Sequence, residues 1–243
     1  MGNTRSKWES RQLAFYDGTT FETVKPLAPI VMLDDFFGTV TNTDIWTVIN
    51  VGAGSTGQAI SNLTFTQNVG AATDENGIYQ KDDKAWNIDK GFIFECRAKL
   101  TVAPTLGSEF VMAVQNDNLA AGANRMFVAD EIDVFAAFGF YTTVGAGLVA
   151  QIRTDDNSVN SGVVTTGVTS VVGTYQVFRI DFTDVTDVKF FIDGVGVATS
   201  TTFVMSNGTN VMFQPYVATQ KVGANAGLGT VAVDYVRMWQ PTR

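Results

Sequence analysis

Tyr175–Gly194, YQVFRIDFTDVTDVKFFIDG, decides the fold class. Tyr175, Val177, Arg179 and Asp181 alternate with Gln176, Phe178, Ile180 and Phe182. Such alternation marks an extended strand whose two faces meet different surroundings. The polar run Thr183–Asp187 reverses the chain, and Val188–Ile192 is a second run of β-branched and aromatic residues. Asp193-Gly194 brings the left-handed turn chemistry that ends it. An isolated hairpin is marginal in water, so this one is expected to belong to a larger sheet.

Outward from the hairpin, the chain from Asp34 onward reads as short strands separated by turn clusters, without a helix. Strands are expected at Trp46–Val51, Ala59–Thr66, Gly77–Lys81, Gly91–Val102, Glu109–Gln115, Glu131–Tyr141, Leu148–Thr154, Gly162–Val168, Val211–Ala218 and Thr230–Trp239. Turns are expected at Gly52-Ala53-Gly54, Asp74-Glu75-Asn76-Gly77, Asn116-Asp117-Asn118, Asp155-Asp156-Asn157 and Ser206-Asn207-Gly208. This spacing predicts an all-β, two-sheet antiparallel sandwich. No repeat of propeller or solenoid length is present. Hydrophobic residues make up 45% of the chain and charged ones 16%, below the usual quarter, so a sizeable core can be filled.

Composition also excludes chemistry. The chain has no histidine, which removes Ser-His and Cys-His nucleophile pairs and every histidine-ligated metal site. A net charge of −8 argues against nucleic acid or an anionic membrane as partner. No apolar run approaches the roughly 20 residues of a membrane span, and MGNTRSKWESRQ lacks the apolar region of a secretory signal. Cys96, the single cysteine, lies on the Phe92, Phe94, Ala98, Leu100 side of its strand and reads as a buried apolar group.

Residues 1–33 differ from the rest. They hold Arg5, Lys7, Arg11 and Lys25 against Glu9, Asp17 and Glu22, while the acidity lies in residues 34–243. Trp8, Leu13, Phe15 and Tyr16 follow no helical period, and Pro26 and Pro29 make Lys25–Ile30 an extended linker. The expected organisation is an N-terminal arm and linker over 1–33 and a β-sandwich over 34–243. The arm's large apolar groups lie either on their own domain or on a partner.

Three stretches carry a resemblance. YQVFRIDF…VKFFIDG, the closing Val231–Trp239 (VAVDYVRMW), and Asp34-Asp35-Phe36 with Trp46 resemble the late hairpin, last strand and entry of concanavalin A-like jelly rolls. This is the superfamily of lectins, laminin-G domains and family 16 glycosidases, and the resemblance spans Asp34–Gln240. It implies a jelly-roll sandwich. Asp130–Ala136 (DEIDVFA) resembles the family 16 motif, in which alternate carboxylates of one strand enter a concave cleft. Glu131 would match the nucleophile and Asp133 the central aspartate. The third carboxylate is missing, because its place falls on Phe135 or, with a bulge, on Ala136. Asp130 would face the other side of a regular strand. The resemblance therefore implies no hydrolase, with sugar binding through Trp46, Trp86, Phe135 or Tyr141 as an alternative. In the superfamily the aspartate of the closing strand often holds a structural Ca²⁺, which falls on Asp234; hydrogen bonding to a turn or pairing with Arg237 is the other reading. No cofactor is required.

TRSKWESRQLAFYDGTTFET resembles the opening of tailed-bacteriophage virion proteins, through Lys7-Trp8-Glu9-Ser10 and Phe15-Tyr16-Asp17. That likeness implies a non-enzymatic virion protein, a head decoration protein bound to the major capsid protein. Trp8, Leu13, Phe15, Tyr16, Arg5, Lys7 and Arg11 would be its anchor. It also implies a location on the capsid surface, synthesis in a host cytoplasm, and a homo-oligomer such as a trimer. The alternative is a carbohydrate- or receptor-binding tail component on the same fold, and behind it a family 16-like hydrolase.

Overall fold

A computed structural model describes residues 31–67, 74–81, 83–105, 107–117, 124–127, 131–141, 147–206, 211–221 and 229–240, and the backbone of 4–9, 12–17, 23–24 and 30. The strands are β1 (Thr4–Glu9), β2 (Gln12–Asp17), β3 (Thr23–Val24), β4 (Ile30–Asp34), β5 (Thr47–Val51), β6 (Ser55–Ala59), β7 (Asn62–Gln67), β8 (Asp74–Tyr79), β9 (Trp86–Asn87) and β10 (Ile93–Val102). They continue with β11 (Ser108–Gln115), β12 (Val134–Tyr141), β13 (Val149–Asp156), β14 (Val164–Thr169), β15 (Gln176–Asp181), β16 (Lys189–Ile192), β17 (Val195–Val197), β18 (Met212–Lys221) and β19 (Gly229–Gln240).

Two eight-stranded sheets form a sandwich. The first runs β17-β16-β15-β10-β19-β7-β6, with β4 beside β19. The second runs β14-β13-β12-β11-β18-β8-β5, with β9 beside β18. The hairpin of β15 and β16 pairs Phe178 with Ile192 through Asp181 with Lys189. Asp193 and Gly194 both take positive φ, 51° and 78°, which reverses the chain tightly into β17. Alternation works as the sequence predicts: Phe94, Cys96, Ala98 and Leu100 of β10 are buried between the sheets. Phe138 of the second sheet meets Phe178 and Phe190 of the first edge-on, at 5.3 and 5.2 Å between centroids, joining the layers with aromatic contacts.

Three differences from the sequence reading bear on the site. Ile30–Asp34 pairs with Val236–Gln240 of β19, so the sandwich begins at Ile30 rather than at Asp34. Residues 4–24 carry a separate three-stranded antiparallel sheet, β1-β2-β3, where an extended arm was expected. Asp74–Gly77 is not a turn but the start of β8, paired with both β5 and β18.

Candidate functional site

On β11 the side chains of Phe110, Met112 and Val114 enter the inter-sheet core, so Glu109, Val111, Ala113 and Gln115 face the opposite side. On β12 the same rule sends Phe135, Ala137, Gly139 and Tyr141 outward. The outer face of the second sheet is thus apolar over much of its width. Met126, Phe127 and Ile132, from the connection between β11 and β12, pack on it and form a second cluster with Val111, Ala113, Phe135, Ala137, Tyr216 and Ala218.

Three carboxylates lie around the edge of this cluster, Glu75 and Glu109 on either side of Gln220 in the sheet. Glu109 of β11 is fully buried and accepts backbone N–H groups of Met126 (3.1 Å) and Phe127 (2.9 Å), holding the connection against the sheet. Glu75 of β8, also fully buried, accepts the Tyr216 hydroxyl (2.8 Å) and Asn124 Nδ2 (2.9 Å). Gln220 Nε2 donates to the Asn124 carbonyl at 2.8 Å and to the Tyr216 hydroxyl. Glu131 is gripped by Arg125: Nε donates to Oε2 at 2.8 Å, Nη2 to Oε1, and the Arg125 backbone N–H to Oε2 at 2.9 Å. Arg153 Nη1 donates to the Met126 carbonyl at 2.6 Å and braces the connection from β13.

The electrostatics follow from this crowding. Burial pushes the Tyr216 phenol well above its ordinary value, and the charge of Glu75 beside it adds to the shift, with smaller contributions from Glu109 and Glu131. The Arg125 guanidinium is held more firmly protonated, first by its hydrogen bond to Glu131 and further by the charges of Glu131, Glu109 and Glu75. Three acids, one guanidinium and one phenol therefore share a field.

The sequence reading found only part of this set. Glu131 precedes β12 instead of lying on it, Asp133 is exposed, and Ile132 between them enters the second cluster. The two acids therefore do not line one strand face as alternation would have them. Asp130 lies outside the described residues. Phe135 is fully buried, and Ala136 faces the inter-sheet core, so no carboxylate stands at those positions. The further acids come instead from other strands of the same sheet, Glu75 on β8 and Glu109 on β11. Their signal in the sequence was an outward parity on β11 for Glu109; Glu75 was hidden inside an apparent turn.

Other candidates fall elsewhere. Trp46 and Trp86 are buried between the sheets, with indole N–H groups bound to Asp34 Oδ2 (2.7 Å) and Gln80 Oε1 (2.9 Å), so neither offers a ring to a sugar. Phe135 is covered by the second cluster, and Tyr141 packs half-buried at its margin, its phenol raised by burial and by Glu109. Asp234 sits in a β-bulge, where Arg97 pairs with Tyr235 and Ala98 with Val233. The bulge brings its carboxylate to Arg97 Nη1 at 2.5 Å, so Asp234 pairs with Arg97, while Arg237 pairs with Glu95. Among the described residues no group of three acidic, histidine or cysteine side chains could hold a metal ion. Of the anchor residues, Arg5, Lys7 and Trp8 fall on β1, and Leu13, Phe15 and Tyr16 on β2. Their backbones pair Trp8 with Leu13 and Arg5 with Tyr16; Arg11 lies outside the described residues.

No family model matches the sequence, and no curated protein matches it. Solved structures do match the fold. An endo-1,3-β-glucanase from Streptomyces sioyaensis superposes with a TM-score of 0.57 at 16% identity, covering 87% of this chain and 95% of its own. SCLam, a non-specific endo-β-1,3(4)-glucanase of family GH16, gives 0.60 at 12% identity, covering 89% and 94%. The carbohydrate recognition domain of Emp47p gives 0.58 at 10% identity, covering 86% and 94%. The expectation of a protein without enzymatic activity is overturned beside these neighbours. It rested on an acid missing from one strand, whereas glucanases share nearly the whole fold and Glu75 and Glu109 bring acids from other strands of the sheet. The fold is a jelly-roll sandwich like those of glucanases and lectin domains.

Proposed function

We propose that this chain acts on carbohydrate, with hydrolysis of a β-linked glucan as its activity. The observation that carries the reading is the convergence of Glu75, Glu109 and Glu131 around Arg125 and Tyr216 on one face of a sheet. The glucanase likeness of the fold supports it. Glycoside hydrolysis with retention needs two carboxyl groups about 5–5.5 Å apart, one attacking and one transferring a proton. Glu131, bound at two points by Arg125, suits the role of ionised nucleophile. Glu75, which accepts the Tyr216 hydroxyl, suits proton transfer. Asn124–Phe127 lies against these acids and holds to Glu75 and Glu109 by hydrogen bonds.

The experiment is reducing-sugar release from a soluble β-1,3-glucan and a mixed-linkage β-glucan, comparing the native protein with Glu131→Gln and Glu75→Gln. Release by the native protein and loss of at least roughly a hundredfold in Glu131→Gln is the expected result. No release and no retention on insoluble glucan would defeat the carbohydrate reading.

For residues 1–33 we propose attachment to a larger assembly such as a virion surface. The separate sheet β1-β2-β3, which shares no strand with the sandwich, favours this. Deleting residues 1–29 is expected to abolish binding to empty phage heads and leave β-type circular dichroism intact. Undiminished binding would defeat it.

A further inference from the structure

The space between the sheets is apolar along most of its length and polar at one end. Asp74, Asn76, Ser108, Thr219 and Lys221 of the second sheet point inward, by the alternation that buries Ile78, Phe110 and Val217. Strand pairing sets them in two rows, Asn76–Thr219–Phe110 and Asp74–Lys221–Ser108. Gln67 of the first sheet points inward with Leu63 and Phe65, and its ladder partner is Gly229. Its strand, β7, touches both β8 and β18. Gln67 is 2% exposed and the other five side chains no more than 1%.

Part of this polarity is satisfied by the protein. Lys221 pairs with Asp74, the Ala53 N–H donates to the same carboxylate, and the Thr219 hydroxyl donates to the Asn76 carbonyl at 3.4 Å. Five side-chain atoms are not satisfied: both amide atoms of Gln67, both of Asn76, and the Ser108 hydroxyl meet no protein partner. Buried amides and hydroxyls are costly unpaired, and native folds pair nearly all of them. The kinds of atom select the occupant. Two NH2 groups donate, two amide oxygens accept, and the hydroxyl does both. A cation would leave the NH2 groups unpaired and an anion would leave the oxygens so, while Lys221 and Asp74 already balance each other's charge. Water donates and accepts at once, in about three hydrogen bonds per buried molecule. Small side chains at the inward positions Gly229 and Ser108, one on each sheet, keep apolar bulk out of this end.

We propose that this end of the sandwich is a binding site for ordered water, about two molecules, bridging the Gln67 and Asn76 amides and the Ser108 hydroxyl. The water serves as a structural ligand. It ties β7 of one sheet to β8 and β11 of the other where apolar packing stops. It also lies beside the buried Lys221–Asp74 pair and reduces the desolvation that burial imposes on those charges. The inference is independent of the carbohydrate reading, since Glu75 points from the opposite face of β8 to Tyr216.

The test is NMR on the nitrogen-15-labelled full chain, reading magnetisation transfer from water to the side-chain NH2 groups of Gln67 and Asn76. Cross-peaks at both groups are expected, with the sign given by water held for longer than molecular tumbling. This measurement needs no substitution. Oxygen-17 relaxation of the solvent then counts long-lived water directly, for the native chain and for Gln67→Leu combined with Asn76→Leu. The native chain is expected to hold about two more such molecules than the double variant. Absent water cross-peaks, with the two amides paired to protein groups such as the Thr66 carbonyl beside Asn76 Nδ2, would overturn the proposal. An equal count of long-lived water in the native chain and a folded double variant would overturn it as well.

Discussion

Phe127 lies directly on Gly139: a Cβ added to the glycine would stand 2.3 Å from Cε2 of the ring. The contact explains why β12 carries glycine among bulky neighbours, and it is how the connection between β11 and β12 seats on the sheet. Gly139→Ala is expected to cost about 1–3 kcal/mol, the usual penalty of overpacking. In the Phe127→Ala background the same change should cost far less, a coupling above about 0.5 kcal/mol in a urea-unfolding double-mutant cycle. Additive losses would mean that the ring and the glycine do not meet.

Lys221 and Asp74 form an ion pair at 3.2 Å with both side chains essentially out of solvent, and the Ala53 N–H also binds Asp74 at 2.7 Å. Removing the cation leaves a buried carboxylate without its counter-charge. Lys221→Met should therefore lower stability by about 3–5 kcal/mol, measured by chemical denaturation. Adding Asp74→Asn should restore part of it; no restoration would show that the loss comes from packing.

That pair also explains what the sequence hid. Asp74-Glu75-Asn76-Gly77 has the composition of a turn, yet Asp74 pairs with Lys221 across the β8–β18 ladder. Gly77 is required because an added Cβ would meet the Ala218 Cβ at 2.4 Å, a close strand approach that has nothing to do with turning. Local propensity cannot show a partner far along the chain. The hairpin of β15 and β16, whose contacts are local and whose faces alternate, was legible in full. The acidic set was legible only at Glu131, because a site assembled from three elements leaves no spacing in any one of them. The turn at Phe36 gave no sequence warning, since its left-handed phenylalanine is stabilised by Asp34, Gln58 and the Trp46 ring together.

Tyr216 sets an alkaline limit. Its folded-state pKa lies well above the ordinary 10, by burial first and by Glu75 next. A group whose pKa is raised by folding contributes stability that is complete below the unfolded value and is lost as pH rises through and beyond it. Urea midpoints should therefore hold from neutral pH to about pH 9 and fall above about pH 10. Tyr216→Phe should flatten that fall while lowering stability at neutral pH by about 1–3 kcal/mol, because Glu75 loses a buried donor. An unchanged alkaline slope in the variant would assign the loss to other groups, such as Cys96, whose thiol burial also raises.

Asp234 offers the sharpest separation between an ion pair and a metal site. Its carboxylate and Arg97 keep side-chain exposures of 28% and 41%, so solvent screens the 2.5 Å contact despite its length. Exposed pairs contribute about 0–1 kcal/mol. Asp234→Asn should accordingly shift the urea midpoint by less than that, and Arg97→Gln should do the same. A structural Ca²⁺ on this strand would behave differently, since a metal bound only to the folded chain raises stability with the logarithm of its concentration. Melting temperature measured with calcium and with chelator should therefore be equal in the native protein. A rise with calcium that disappears in Asp234→Asn would show that the carboxylate leaves Arg97 for the metal.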